Sequence, residues 1–269
     1  MNYPLKFMVE QIGGTLISAT LPVPDDIDPA FWLPEPEAIA QMQTADLMFL
    51  NGATYEKWLP TVSLSSRNLV DTSAAFSDRF IPIQDVVTHS HGPEGEHSHS
   101  GTAFTTWIDF QLAAEQGRAI RDALVQQLPE HREQLEANFD KLERDLLELD
   151  RQLETAIANS TRKNQPLFAS HPVYEYLARR YNLNLKSVLW EPEVIPNEVQ
   201  WQELQRQLNI HPASWMIWES SPNPESVERL QTLGINSVIF APSGNIPDEG
   251  SFIDIMKANT ETLISIYRS

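Results

Sequence analysis

Cysteine is absent from the 269 residues. That excludes thiolate metal sites, cysteine nucleophiles and disulfides. No run of about 18 apolar residues occurs, so nothing in the chain reads as spanning a bilayer. The opening Met1-Asn2-Tyr3-Pro4 lacks the charged and apolar regions of a signal peptide. Positive charge is scarce: 19 Lys and Arg stand against 37 Asp and Glu, a net charge of −18. Such a surface repels phosphate backbones and anionic headgroups, which argues against nucleic acid or a membrane surface as partner, and suits a cation. Catalytic signatures are missing too. There is no G-x-S-x-G elbow, no H-E-x-x-H, no phosphate-cradling glycine loop and no kinase-type set, so the expectation is a binding protein and not an enzyme.

What is present is enough for two ordinary domains. The apolar fraction is 41%, with 7 Trp and 11 Phe to fill cores. Residues 13–50 alternate as α/β proteins do. Ile17 to Val23 reads as a strand after Gly13-Gly14, a helix follows from about Glu35 to Gln43, and Leu47 to Leu50 reads as a buried strand closed by Asn51-Gly52. From Asp109, a natural helix cap, one helix is predicted to about Leu128 and a second over about 129–159. In the second, Leu135, Phe139, Leu142, Leu146, Leu149 and Leu153 recur at spacings of three and four. About thirty helical residues span roughly 45 Å, long enough to tie two lobes together. The α/β pattern then resumes, with strands at 167–170, 215–218 and 237–240, helices at 174–181 and near 224–233, and a closing helix over 251–267. The fold class is therefore α/β: two lobes with mainly parallel sheets, 1–128 and 160–269, joined by a long rigid helix at 129–159.

Residues 88–101, THSHGPEGEHSHSG, break the pattern. They hold four of the seven histidines, as the pairs His89/His91 and His97/His99, with Glu94 and Glu96 between, and no aliphatic side chain. Imidazole and carboxylate suit zinc, copper or nickel, and the composition is that of a mobile loop able to wrap an ion. The alternative is a solvated loop with incidental histidines. His171 directly follows an apolar strand, at the end of a sheet where α/β proteins bind ligands; a helix-capping role is equally open from the residues alone. Glu219 ends the strand Trp215–Trp218 in the same way, as a ligand, as a carboxylate that orients one, or as the cap of the turn that follows. The seven tryptophans are read mainly as core.

The segments NYPLKFMVEQIGG, ATLPVPDDIDPAFWLPEPEAIAQMQTADLMFLNG, TWIDFQLAAEQGRAI, ASHPVYEYLARRYNL, SVIFAPSGN and IDIMKANTETL resemble, in this order, the zinc/manganese solute-binding proteins of ABC transporters. The resemblance covers nearly the whole chain. It implies an extracytoplasmic or periplasmic monomer that captures a divalent metal, zinc first, and delivers it to a membrane permease, with little lobe movement on binding. It also implies that the chain starts at or inside the family's first strand, its leader lying upstream. Of the family's four metal ligands only His171 is matched. Ala30, Thr105 and Ala241 stand at the other three positions. Two explanations are compatible with that: His97 or His99 joins His171 around the ion, or the cleft takes a metal chelate or another small ligand. The rivals are a metal-storage protein or surface adhesin on the same scaffold, and a metallohydrolase using His171, Glu219 and the loop histidines.

Overall fold

The computed structural model describes residues 1–25, 27–90 and 96–268, with the backbone alone over 84–90 and 96–100. The chain divides into two compact units. Unit 1 is 1–82, 102–150 and 243–255; unit 2 is 83–101, 151–242 and 256–269.

Unit 1 opens with helix α1 (Tyr3–Gly13). Asn2 caps it, its side chain accepting from the Leu5 N–H at 3.0 Å, and Pro4 sits in the first turn, where no helical hydrogen bond is lost. This differs from the expected start in a strand: the described chain enters directly as a helix. Helix α2 (Pro36–Gln43) leads to β1 (Met48–Leu50), which pairs in parallel with β2 (Leu69–Asp71). The predicted strand over 17–23 does not form. A 3-10 turn at Gly14–Leu16 gives way to chain that joins no ladder among the described residues. An alternating pattern makes a strand only where a neighbour offers hydrogen bonds. Gly52 closes β1 at φ +73, and a Cβ there would fall about 2.0 Å from Ser73 Oγ, so only glycine fits. The buried Glu56 carboxylate accepts the N–H groups of Asn51 (2.7 Å) and Gly52 (3.2 Å) and fixes the turn. Trp32, Met42, Met48 and Trp58 pack together beneath it.

Helix α3 (Phe110–Gln127) starts at Asp109, whose side chain caps the Gln111 and Leu112 N–H groups, as expected. Helix α4 (Arg132–Asn159) follows; its 28 residues span about 42 Å at 1.5 Å each. The leucine stripe from Leu135 to Leu153 and Phe139 are all buried along it.

Unit 2 holds a four-stranded, wholly parallel sheet of β5 (Pro166–Ala169), β6 (Asn184–Ser187), β7 (Trp215–Trp218) and β8 (Asn236–Ile239), in the order β6-β5-β7-β8. Helices α5 (Glu175–Tyr181), α6 (Glu198–Leu208) and α7 (Pro224–Thr232) connect the strands, and α8 (Phe252–Arg268) closes the chain. Trp190 meets Trp201 edge-on at a centroid distance of 4.6 Å and Trp218 at a tilt at 6.2 Å, in one cluster with Phe168 and Met216. Trp190, Trp201 and Trp218 are core, as read, while Trp215 is half-buried. In the histidine-rich stretch the backbone differs from the expected loop: β3 (Pro82–Ser90) and β4 (Glu96–Thr102) form a two-stranded sheet. His89 lies in β3, His97 and His99 lie in β4, and His91 and Glu94 fall outside the described residues.

Candidate metal centre

Three neighbouring strand ends in unit 2 deliver three ligand-type side chains. The β5 ladder runs on past its last residue: the Ser170 N–H donates to Ile217 O at 2.8 Å, and His171 follows. Beyond β6 the chain stays beside β5, with Val188 N–H donating to Ala169 O (2.8 Å) and Trp190 N–H to Ser170 O (2.9 Å), and Glu191 follows. Glu219 comes directly after β7. The sheet order β6-β5-β7 therefore places the two carboxylates on either side of the imidazole, at the carboxyl edge of a parallel sheet, the general ligand position of such folds.

The imidazole is 2% exposed and each carboxylate 24%. His171 Nδ1 lies 3.0 Å from Glu219 Oε1, and Nε2 lies 3.5 Å from Glu191 Oε1. One ligand atom from each of the three residues lies within 4.8 Å of the others, the metal-type grouping found among the described residues. A carboxylate this close to Nδ1 favours the tautomer with its proton there, which leaves the lone pair on Nε2. Two ligands each about 2.0–2.1 Å from a tetrahedral ion stand about 3.4 Å apart. The separation of Nε2 from Glu191 matches that; one ring cannot present both nitrogens to one ion.

The surroundings are tied together by hydrogen bonds. Tyr174 donates its hydroxyl to Phe240 O at 2.9 Å, tying the start of α5 to the end of β8, and burial together with the charges of Glu219 and Glu175 holds that phenol well above its ordinary pKa. Glu175, at the start of α5, is pushed up by burial while His171 pulls the other way, and its Oε2 is buried without a hydrogen-bond partner. Ala241, at a position where the resemblance implies an aspartate, has its N–H and C=O both held by the Asn259 amide, at 3.0 and 2.7 Å.

In unit 1, Ala30 and Thr105 are buried. Nearby, the Lys57 ammonium lies 4.4 Å from the centroid of the Phe31 ring and 5.9 Å from that of Phe104, with burial lowering its pKa and Asp28 raising it.

Of the candidate ligands, the structure brings together His171 and Glu219 and adds Glu191. The sequence carried a signal for Glu191, an acidic residue directly after an apolar Leu189-Trp190 pair, as in the other two strand ends; β6 is so short and polar that the parallel went unseen. The side chains of His89, His97 and His99 are not among those described.

The family described as "ZnuA: Zinc-uptake complex component A periplasmic" matches residues 2–266. The chain is 25% identical to the high-affinity zinc uptake system protein ZnuA of Bacillus subtilis, over 97% of this chain and 84% of that protein. It is 23% identical to the manganese-binding lipoprotein MntA of Halalkalibacterium halodurans, over 96% and 84%. The metal-dependent lipoprotein YcdH of B. subtilis superposes with a TM-score of 0.82 at 22% identity, covering 98% of this chain and 96% of that one, and so shares its two-lobed α/β fold. With a match over all but a few terminal residues and the same fold, the chain belongs to the ZnuA family of metal-uptake solute-binding proteins.

Proposed function

We propose that this chain is the extracytoplasmic capture component of an ABC importer for a divalent metal, zinc first, handing its cargo to a membrane permease and catalysing nothing. The observation that carries the reading is the His171–Glu191–Glu219 group at the carboxyl edge of the unit 2 sheet. His171 Nε2 and the Glu191 carboxylate are the ligands, and Glu219 orients the ring through Nδ1. Two ligands are too few for tight zinc. His97 or His99 completes the set: both belong to the same compact unit as His171. His89 and His91 then serve as collectors of moderate affinity. The zinc and manganese relatives fit the donor set, since nitrogen plus carboxylate suits either ion. Among the described residues no helix is long and apolar enough to cross a membrane.

A second reading has one observation behind it. The Lys57 ammonium, close to the rings of Phe31 and Phe104 in unit 1, suits an anionic metal chelate better than a bare ion. Zinc titration by calorimetry separates the two readings, using the unaltered protein, His171→Ala, Glu191→Gln and a variant lacking 88–101. The expected result is one tight event that the two point variants and the deletion each weaken at least tenfold. A weak event sensitive only to the deletion would overturn the bare-ion reading.

A further inference from the structure

The turn after β1 leads into an array of aromatic rings, all of it within unit 1. Tyr55 meets Phe104 edge-on at a centroid distance of 5.2 Å and Trp107 at 5.7 Å. Tyr55 and Trp107, each 1% exposed, are the buried end of the array. Gly244 lies against that end, where a Cβ would stand 3.5 Å from Tyr55 Oη and 3.9 Å from Trp107 Cζ2. Phe31 and Phe104 are the outer end and are only half-buried.

The Lys57 ammonium stands over this outer end, 4.4 Å from the Phe31 centroid and 5.9 Å from that of Phe104. Both distances fall within cation–π range, so the ring faces replace part of the water an ammonium would otherwise hold. Ring faces carry only partial negative charge. Among the described residues Lys57 makes no ion pair. Asp28 acts on it from a distance, and one oxygen of that carboxylate accepts the Ala30 N–H at 2.9 Å. Burial disfavours the charged ammonium and lowers its pKa.

The turn that presents Lys57 is strained. Gly52, Ala53 and Thr54 follow one another at φ +73, +49 and +63, all in the left-handed region. Two of them carry a side chain, and Thr54 is β-branched, the type least suited to that region. The Glu56 carboxylate holds the turn by accepting the N–H groups of Asn51 and Gly52. Local strain of this kind concentrates where ligands are gripped. Beyond the turn Tyr55 is buried and Lys57 exposed, so this one segment supplies both ends of the array.

We propose that Phe31, Phe104 and Lys57 form a binding site for a small organic acid, a flat ring bearing one carboxylate. The carboxylate pairs with the Lys57 ammonium and supplies the full negative charge that the ring faces lack. The ring of the ligand extends the edge-to-face array by one member beyond Phe31 and Phe104. A single charge suits the site because the net charge of −18 repels a polyanion and leaves only local attraction. The site lies in unit 1 alone, takes the acid without a metal, and stands whether or not the His171 group binds zinc.

The test uses the full chain freed of metal, with benzoate as the probe. Acetate and benzyl alcohol serve as comparators that carry only the charge or only the ring. Binding is followed through backbone amide shifts by NMR. Benzoate is expected to give saturable shifts centred on Phe31, Thr54 to Lys57 and Phe104, with a dissociation constant below about 10 mM. Acetate and benzyl alcohol should each bind about tenfold more weakly. Lys57→Gln should weaken benzoate about tenfold, and Phe31→Leu about threefold. Lys186→Gln, which removes an exposed lysine of unit 2, should change nothing. Benzoate that binds Lys57→Gln as tightly as the unaltered protein would overturn the proposal, as would shifts centred elsewhere in the chain. So would acetate that binds as tightly as benzoate, since Lys57 would then be a bare charge with no ring site. Because metal is absent throughout, a failed zinc titration leaves this result untouched.

Discussion

At the scale of single residues, the imidazole of His171 lies between two carboxylates, Glu219 3.0 Å from Nδ1 and Glu191 3.5 Å from Nε2, and in the proposed site these two neighbours are not equivalent. Glu219→Gln keeps the size of the side chain but removes the charge 3.0 Å from Nδ1 that the proposed site uses to orient the ring. Metal affinity is expected to fall about 10–100-fold while the fold stays intact. His171→Ala should cost more, and a calorimetric titration in which Glu219→Gln binds as tightly as the unaltered protein would count against the orienting role. Tyr267 gives a cleaner electrostatic test away from the site. Burial pushes its phenol up to about 12, and its hydroxyl is buried without a hydrogen-bond partner. The folded pKa is raised above the unfolded value near 10, so stability is full below pH 10 and is lost as pH rises from about 10 through about 12. Tyr267→Phe should therefore change little at pH 7 and unfold at a higher pH than the unaltered protein, a difference read by circular dichroism across an alkaline titration.

Elements were legible to the degree that their own residues decide them. Asp109 caps α3 where the sequence places a cap, and Asp109→Ala should cost about 1 kcal/mol, a drop of roughly 2–4 °C in the unfolding midpoint for a chain of this size. The leucine stripe of α4, the strands β5 and β7, and with them His171 and Glu219, were readable for the same reason: long or strongly apolar runs have one stable answer. Where a neighbour decides, the sequence misleads. Ile17 to Val23 alternates like a strand yet has no ladder. β6 is a four-residue edge strand with little burial, and its miss hid Glu191. α6 has a weak apolar pattern, and its sequence signal is the reciprocal cap of Asn197 and Gln200, the pattern Asn-x-x-Gln. The three absent family ligands were plain in the sequence, while Lys57 beside Phe31 needed coordinates, because twenty-six residues separate them in the chain.

For the whole molecule the net charge of −18 matters more than any one pair. A field of that sign gathers cations toward the surface and is screened by salt within about 10 Å at 0.1 M. The association rate of zinc, followed by stopped-flow with a chromophoric indicator, should fall roughly tenfold as sodium chloride rises from low millimolar to half molar, with a much smaller change in the dissociation rate. An unchanged association rate would show that capture is set locally at His171. The division into units has a different consequence. The chain passes between them after residues 82, 101, 150, 242 and 255, two of those crossings falling inside α4 and α8. No single cut can release either half as a continuous polypeptide. A gene split at any one point therefore leaves at least one of the two units without all of its segments.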